Sequence, residues 1–324
     1  MKDDTDRRGF LVRAGRAAAF PLLHRFSPML PDSPEPGFAF KDSENRSLGV
    51  FESGRPVIAY NHGMMLKPGA PEDRRRSCYV HPIHTPDGVD VTDDFPADHL
   101  HHRGMSWMWP IVEAEEGKHN LWDIRGIHQK FEAWQLKTAG EDRARIGVMN
   151  GWYVGAKKVA SERVELSVLR AANHGRCIDL SLTFEASDQP VRLTGEMGPE
   201  RKGYGGLCLR FAPRTGTIIT TSAGRGLKDS NLEPFPWADL SGSFGAAGAA
   251  AGAAVFVDRA NPGFPNGWTL RNYGFLGVCW PGLQTYTLEP GKPVTLRYRL
   301  WAHDGLPEAG VLEDQYRRFM TGGI

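Results

Sequence analysis

The sequence predicts an all-β fold: antiparallel sheets packed face to face in a large β-sandwich, or closed into a barrel, with one helix at the C-terminal end. Three observations point there. Apolar and polar residues alternate with a period of two rather than 3.6. The apolar runs are short and bounded by Gly, Pro, Asn or Asp. Only one segment shows helical spacing. Val164, Leu166 and Val168 alternate with Glu165 and Ser167, and Ile178, Leu180, Leu182 and Phe184 alternate with Asp179, Ser181, Thr183 and Glu185. Val191, Leu193 and Met197 are expected on one face, with Arg192, Thr194 and Glu196 on the other. Val294, Leu296, Tyr298 and Leu300 alternate with Thr295, Arg297, Arg299 and Trp301. The 23 prolines and 38 glycines suit the hairpin turns such a fold requires. The single helix is expected over residues 307–320, where Val311, Leu312, Tyr316 and Phe319 recur at helical spacing and Pro307 fits the first turn. Residues 242–254, GSFGAAGAAAGAA, carry almost no side-chain mass. They read as a flexible loop or tight turn ahead of a strand at Val255-Phe256-Val257.

At 324 residues the chain is long for one domain, yet large β-sandwiches reach this length as a unit. With no internal repeat and no second compositional regime, residues 37–324 read as a single domain. Residues 1–36 stand apart. Asp6-Arg7-Arg8-Gly9-Phe10-Leu11 resembles a twin-arginine signal ahead of an Ala- and Leu-containing stretch, which points to an exported, periplasmic protein. Arg13 and Arg16 interrupt that stretch and no A-x-A site follows, so the alternative is a disordered basic arm on a cytoplasmic protein. A net charge of +1 gives no basic excess of the kind nucleic-acid binding needs. No run approaches the ~18 apolar residues of a membrane span. Cys78, Cys177, Cys208 and Cys279 form no CxxC pair, which removes the common zinc-ribbon patterns and leaves disulfides undecided. Each lies in an apolar run, as buried free thiols do.

Chemistry concentrates in one window. Five of the eleven histidines, His81, His84, His99, His101 and His102, fall between residues 81 and 102, together with Asp87, Asp90, Asp93, Asp94 and Asp98, and Arg103 follows. If residues 98–103 are extended, His99, His101 and Arg103 share one face and Asp98 and His102 the other. Pro96 and Gly104 favour a bend that would bring His81, His99, His101, His102 and Arg103 to one cleft. Two functional readings follow. His99 and His101 with a third ligand, His81 or Asp94, could hold a divalent transition metal. Alternatively His and Arg line a polyol pocket, with Arg fixing a carboxylate or hydroxyl pair and His moving protons near neutral pH. The non-functional alternative is a polar turn whose histidines satisfy loop carbonyls.

Flat aromatic faces stack on sugar C–H surfaces, and Trp107, Trp109 and Trp122 follow the cluster closely. Large β-cores also use Trp, so one or two of the nine are expected at the site and the rest in the core. Lys202-Gly203-Tyr204-Gly205-Gly206-Leu207 leads into Arg210, and its glycines allow a ligand close to the backbone. Trp237-Ala238-Asp239-Leu240-Ser241-Gly242 sets a carboxylate beside an indole.

The run Arg75-Arg76-Ser77, Tyr79, His81-Pro82 and Asp93-Asp94-Phe95-Pro96-Ala97-Asp98-His99-Leu100-His101-His102-Arg103-Gly104 resembles a bacterial family catalogued as PmoA-like "methane oxygenase". Lys202-x-Tyr204-Gly205-Gly206-Leu207, Trp237-x-Asp239-x-Ser241-Gly242, Asp258-x-x-Asn261-Pro262 and Trp268-x-x-Arg271-x-Tyr273-Gly274 extend the resemblance over most of residues 45–305. Leu100, where that family often has Pro, and the Ala/Gly tract depart from it. A membrane oxygenase would need spanning helices, which this chain lacks. What the resemblance implies instead is a sugar-associated protein with a β-supersandwich similar to galactose mutarotase.

The expected function is therefore that of a carbohydrate-active lyase, hydrolase or epimerase acting on a small sugar or glycoside. Each of these needs one group to take a proton and another to give one. His102 or His99 is the expected acid/base, Arg103 stabilises developing negative charge, and Tyr204 or Glu196 is the second acid/base. A carboxylate-pair glycosidase would require the fold to bring Glu196 and Asp239 within about 5 Å. His81, Asp94, His101, Trp107, Lys202, Arg210, Trp237 and Asp239 are the expected substrate contacts. Two rivals remain: a metal-dependent enzyme ligated by His81, His99 and His101, and a non-catalytic sugar-binding module, which has little use for clustered histidines.

Overall fold

Over residues 36–323, which the computed structural model describes, the period-two runs form three antiparallel sheets. The twin-arginine-like segment lies outside these residues. The first sheet has nine strands in the order Phe38–Ser43, Ser47–Glu52, Arg55–Asn61, Tyr79–Ile83, Met105–Met108, Gly206–Arg210, Phe275–Cys279, Gly267–Arg271 and Ser230–Pro234. The second, also of nine, runs Gly224–Arg225, Arg214–Thr221, Trp237–Phe244, Ala249–Val257, Val294–Asp304, Gly175–Ala186, Lys157–Leu169, Arg143–Val154 and His128–Ala139. A four-stranded sheet pairs Thr285–Leu288, Val191–Thr194, Ile111–Ala114 and Gly117–His119. Each sheet has two ends, so the fold is a sandwich and not a closed barrel.

The alternation sorts as expected. Val164, Leu166, Val168, Ile178, Leu180 and Leu182 are buried in one apolar core with Leu48, Val80 and Met105 of the first sheet and Val112 and Leu193 of the third. Burying such a side chain contributes roughly 1.5–3 kcal/mol. Met197 does not join them. Its strand ends at Thr194, and Met197 is an exposed apolar residue.

The Ala/Gly tract is the clearest departure from expectation. It is not a loop: it completes Trp237–Phe244, turns at Gly245 and Gly248, and returns as Ala249–Val257. The returning strand lies inside the second sheet, paired to Trp237–Phe244 on one side and Val294–Asp304 on the other. Its small side chains answer large neighbours, since Ala254 is opposite Trp301 and Gly252 opposite His303. A Cβ on Gly252 would lie 2.6 Å from the Leu240 carbonyl oxygen and 2.8 Å from His303 Cε1.

The one α-helix among the described residues, Ala309–Met320, begins two residues after Pro307. Leu312 and Tyr316 pack with Trp237, Phe256 and Trp301 in a second apolar cluster. All four cysteines are buried free thiols. Among the described residues, no helix is long and apolar enough to cross a membrane.

Candidate functional site

The histidine-rich segment is a pair of tight turns, not the extended strand considered above. The His99 amide donates to the Pro96 carbonyl at 3.1 Å and the His102 amide to the His99 carbonyl at 2.8 Å. The segment leaves through Gly104, where a Cβ would come within 2.5 Å of the Val80 carbonyl oxygen. Strand alternation therefore does not apply, and His99, His101 and His102 share one cluster. His99 stacks on His102 with centroids 4.6 Å apart and planes 4° from parallel. His101 stands edge-on to both, 5.8 Å from His99 and 4.5 Å from His102.

Each outer imidazole faces a carboxylate. His99 Nδ1 lies 3.0 Å from Asp98 Oδ2, and His101 Nδ1 lies 3.6 Å from Asp123 Oδ1. Arg210 fixes Asp98, its Nη2 donating to both carboxylate oxygens at 2.7 and 2.8 Å. Burial, and then His99, Arg76 and Arg74, pull the His101 pKa down to about 4 against the opposing pull of Asp123, so His101 is neutral at neutral pH. His102 is held well below the ordinary histidine range by burial and by His101, His99, Arg210 and Arg103. Only 3% of it is exposed, sandwiched between His99 and Phe275. It is the most enclosed ring of the cluster, with Nδ1 buried and, among the described residues, without a hydrogen-bond partner.

Aromatic rings surround the imidazoles. Tyr273, in the turn between two first-sheet strands, stacks on His99 at 5.1 Å, and the Arg210 guanidinium lies 4.9 Å from its ring centre. Trp122 packs against His101, His102 and Tyr204. The Tyr204 hydroxyl is pushed up to about 12 by burial, with Glu196 and Asp123 adding to the rise, so it serves only as a proton donor or neutral hydrogen-bonding group.

Three arginines set this geometry through backbone carbonyls. Arg103 is fully buried and donates from Nη1 to Leu100 O and His102 O, at 2.8 and 2.7 Å, and from Nη2 to Arg74 O at 2.5 Å. Arg76 donates to Leu121 O and Trp122 O at 2.5 and 2.8 Å, and Arg74 to Asp123 O at 3.1 Å. The Arg103 fork is thus committed to main chain and to Asp94, 3.4 Å from its Nε. This corrects its expected role as a charge stabiliser facing substrate.

The remaining candidates disperse. His81, held to Thr92 Oγ1 at 2.9 Å, lines an open cleft of about 620 Å3 with Asp93, Asp94 and Lys67. Asp94 accepts from the Tyr79 hydroxyl at 2.8 Å. Burial raises its pKa against Arg103 and His81. Glu196 turns its carboxylate back to accept from the amides of Gly198 and Lys202, and Lys202 pairs with Glu200. Trp107 is entirely buried in the main core. Trp237 is buried against the C-terminal helix and donates to Glu313. Asp239, also wholly buried, bonds His303 and Ser241 within the second sheet. Trp107, Trp237 and Asp239 therefore cannot meet a substrate, and a Glu196–Asp239 glycosidase pair is ruled out.

Among the described residues, no group of three or more His, Cys, Asp or Glu has an arrangement that could hold a metal ion. His81 faces Thr92, while His99 and His101 each turn a nitrogen to a carboxylate, so the three do not form the expected ligand set. Reading the sequence missed Asp123, Arg74 and Arg76 as site-building residues. Asp123 beside Trp122, and the run Arg74-Arg75-Arg76, were the available signals.

Fold and site together define an antiparallel β-sandwich protein whose polar site is built mainly on the connections between strands. By sequence, the chain belongs to the family described as "Family of unknown function (DUF6807)", which it matches over residues 48–317. No curated protein matches the chain significantly. Similar solved structures include a galactose mutarotase related enzyme from Lactobacillus acidophilus, 9% identical, with a TM-score of 0.39 over 84% of this chain and 99% of that one. A GalM/aldose epimerase homologue from C. elegans is 7% identical, with a TM-score of 0.32 over 84% and 100% of the two chains. The heparan sulfate lyase HepC from Pedobacter heparinus is 7% identical, with a TM-score of 0.35 over 85% of this chain and 36% of that one. The resemblance to PmoA-like methane oxygenases is thereby corrected, because the family match points elsewhere.

Proposed function

We propose that the protein is a carbohydrate-active enzyme, an epimerase or lyase, that moves a proton with His99 and His101. The observation that carries this reading is two imidazoles, each backed by a carboxylate, with centroids 5.8 Å apart. A carboxylate near Nδ1, 3.0 Å away for His99 and 3.6 Å for His101, favours the Nδ1–H tautomer electrostatically and leaves Nε2 for the substrate. His101, neutral with its pKa near 4, takes the proton. His99, oriented by the Asp98–Arg210 pair, returns one to the opposite side of the carbon or to the leaving oxygen. Tyr273, Trp122 and Tyr204 supply the ring faces and hydroxyl that a sugar would meet.

The test is incubation of the purified protein with aldoses, uronates and their glycosides in deuterated water, followed by proton NMR. We expect exchange or elimination at one sugar carbon for one member of the panel. His99→Gln and His101→Gln should each cut its rate by roughly 10²–10⁴ while leaving the fold intact. A substrate turned over equally well by both variants would refute the assignment.

A further inference from the structure

The second sheet carries, on its solvent-facing side, a trough of about 430 Å3 away from the histidine turn, within the size range of small-molecule sites. Its depth follows from the residues that alternate outward. Gly147, Ser167 and Ser181 make a low floor, and Arg145, Arg163 and Arg297 stand around it. At one end Phe319 of the C-terminal helix makes a wall, held by Arg299, which stacks on it at 5.1 Å and pairs with Asp179 at 2.5 and 2.9 Å.

The register leaves the three arginines without partners. A solvated antiparallel face ordinarily sets unlike charges opposite one another, and this sheet does so with Asp179 and Arg299. Arg145, however, is opposite Thr138 and Ser167, Arg163 is opposite Met149 and Thr183, and Arg297 is opposite Ser181. Among the described residues none of the three guanidiniums has an ion pair. Asp179 is neutralised by Arg299, and Asp258 has one oxygen committed to the Ala260 amide. Glu165 lies at the centre, opposite Gly147 and Ser181, so three arginines stand against the two carboxylates of Glu165 and Asp258. The cationic side therefore exceeds the anionic one.

Spacing decides what kind of anion fits. With strands about 4.8 Å apart and a rise of about 3.4 Å per residue, the register puts the Cα atoms of Arg163 and Arg297 about 12 Å apart. Arg145 and Arg163 come out at about 14 Å, and Arg145 and Arg297 at about 16 Å. Side chains stand roughly perpendicular to a sheet, so the three guanidiniums cannot close on one small ion. They suit a ligand bearing several separated anionic groups. A nucleic-acid strand, with a charge on every nucleotide, would force phosphates against Glu165. A chain of hydroxyl-rich units with sparser charges would not.

We infer that this trough binds an acidic oligosaccharide, the arginines taking its carboxylate or sulfate groups and Glu165, Ser167 and Ser181 its hydroxyls. The inference is independent of the histidine pair, because it rests on a different sheet and different side chains.

Calorimetric titration of the full chain with tetragalacturonate, a sulfated tetrasaccharide, neutral maltotetraose and a short single-stranded oligodeoxynucleotide tests it. One or both acidic sugars should bind, more weakly as salt is raised. The tighter of the two tells carboxylate from sulfate recognition. Arg163→Gln and Arg297→Gln should each weaken binding on the order of tenfold, and His99→Gln should leave it unchanged. Thermal unfolding checks that the variants remain folded. Failure of both acidic sugars to bind, tighter binding of maltotetraose or of the oligonucleotide, or equal affinity in the Arg163→Gln/Arg297→Gln double variant would overturn the inference. So would loss of binding in His99→Gln alone, which would relocate the ligand to the histidine turn.

Discussion

Replacing Arg76 with methionine separates what holds the fold together from what aims the site. Arg76 is buried, and among the described residues its guanidinium has no carboxylate partner, only the carbonyls of Leu121 and Trp122. Two charge-assisted hydrogen bonds of this kind contribute about 1.5–3 kcal/mol each, so losing both costs about 3–6 kcal/mol. Against this stands the cost of keeping the charge dry. Burial and the neighbouring Arg103 take the pKa from 12.5 to about 9, and at about 1.36 kcal/mol per pH unit that fall amounts to about 5 kcal/mol. The two nearly cancel, as when buried charges give way to apolar side chains of similar volume. The expected change in Tm for Arg76→Met is therefore a few degrees at most. The site responds differently. Without the clamp the Leu121–Asp123 turn is free to shift, Asp123 no longer faces His101, and a cation that depresses His101 is gone. Imidazole NMR should then show the His101 titration moving further down from about 4, because the lost raising pull of Asp123 outweighs the lost lowering push of Arg76, with turnover falling at least tenfold. A Tm drop beyond about 10 °C would show that the charge is a net stabiliser. An unmoved His101 titration would refute the positioning role.

Three further outcomes are expected. His102→Phe fills the same stacked slot between His99 and Phe275 without a desolvated ring nitrogen, so stability should hold or rise by up to about 1 kcal/mol and turnover should stay within severalfold. A loss beyond about 10² would return the acid/base role to His102. Stability should also depend on pH through His101 and His102. Both folded pKa values lie below the ordinary one, so the His101 contribution is complete above 6.5 and lost as pH falls through about 4, and His102 adds a loss in the same direction. The His101 share is about 3 kcal/mol, read as the gap between wild-type and His101→Gln urea midpoints across that window. A constant gap would contradict it. Gly252→Ala forces a methyl to 2.6 Å from Leu240 O and 2.8 Å from His303. It should destabilise by about 1–3 kcal/mol in chemical denaturation, and a neutral result would mean the central strand is looser than its packing indicates.

The sheets were legible because each long strand carries its own two-residue alternation. The strand at 249–257 was not, because its packing depends on side chains it does not contain: Trp301 and His303 fill the volume its alanines and glycine leave. Met197 continued an alternation that the chain abandons at Thr194, where Glu196 turns back to cap the following loop. The site was legible as a density of histidines within one turn. Which histidine is the most enclosed was not, since His102 differs from its neighbours only by what lies above and below it. Asp123 and Tyr273 reach the cluster from separate turns of the chain, and no local spacing pairs them with His101 or His99. Arg103 was found but misassigned, because its residue type does not tell whether the fork points at a ligand or at main-chain oxygens.

The arginine clamp has a consequence for how such a site can diverge. Arg74, Arg76 and Arg103 hold the carbonyls of Leu100, His102, Leu121, Trp122 and Asp123, together with that of Arg74 itself. A carbonyl is the same in every residue, so the clamp does not register which side chain hangs from the position it grips. Residues on the two turns can be exchanged one at a time while their backbone stays where it is. Substrate preference can then drift by single substitutions on an unchanged frame, and the three arginines are the positions that cannot drift with it.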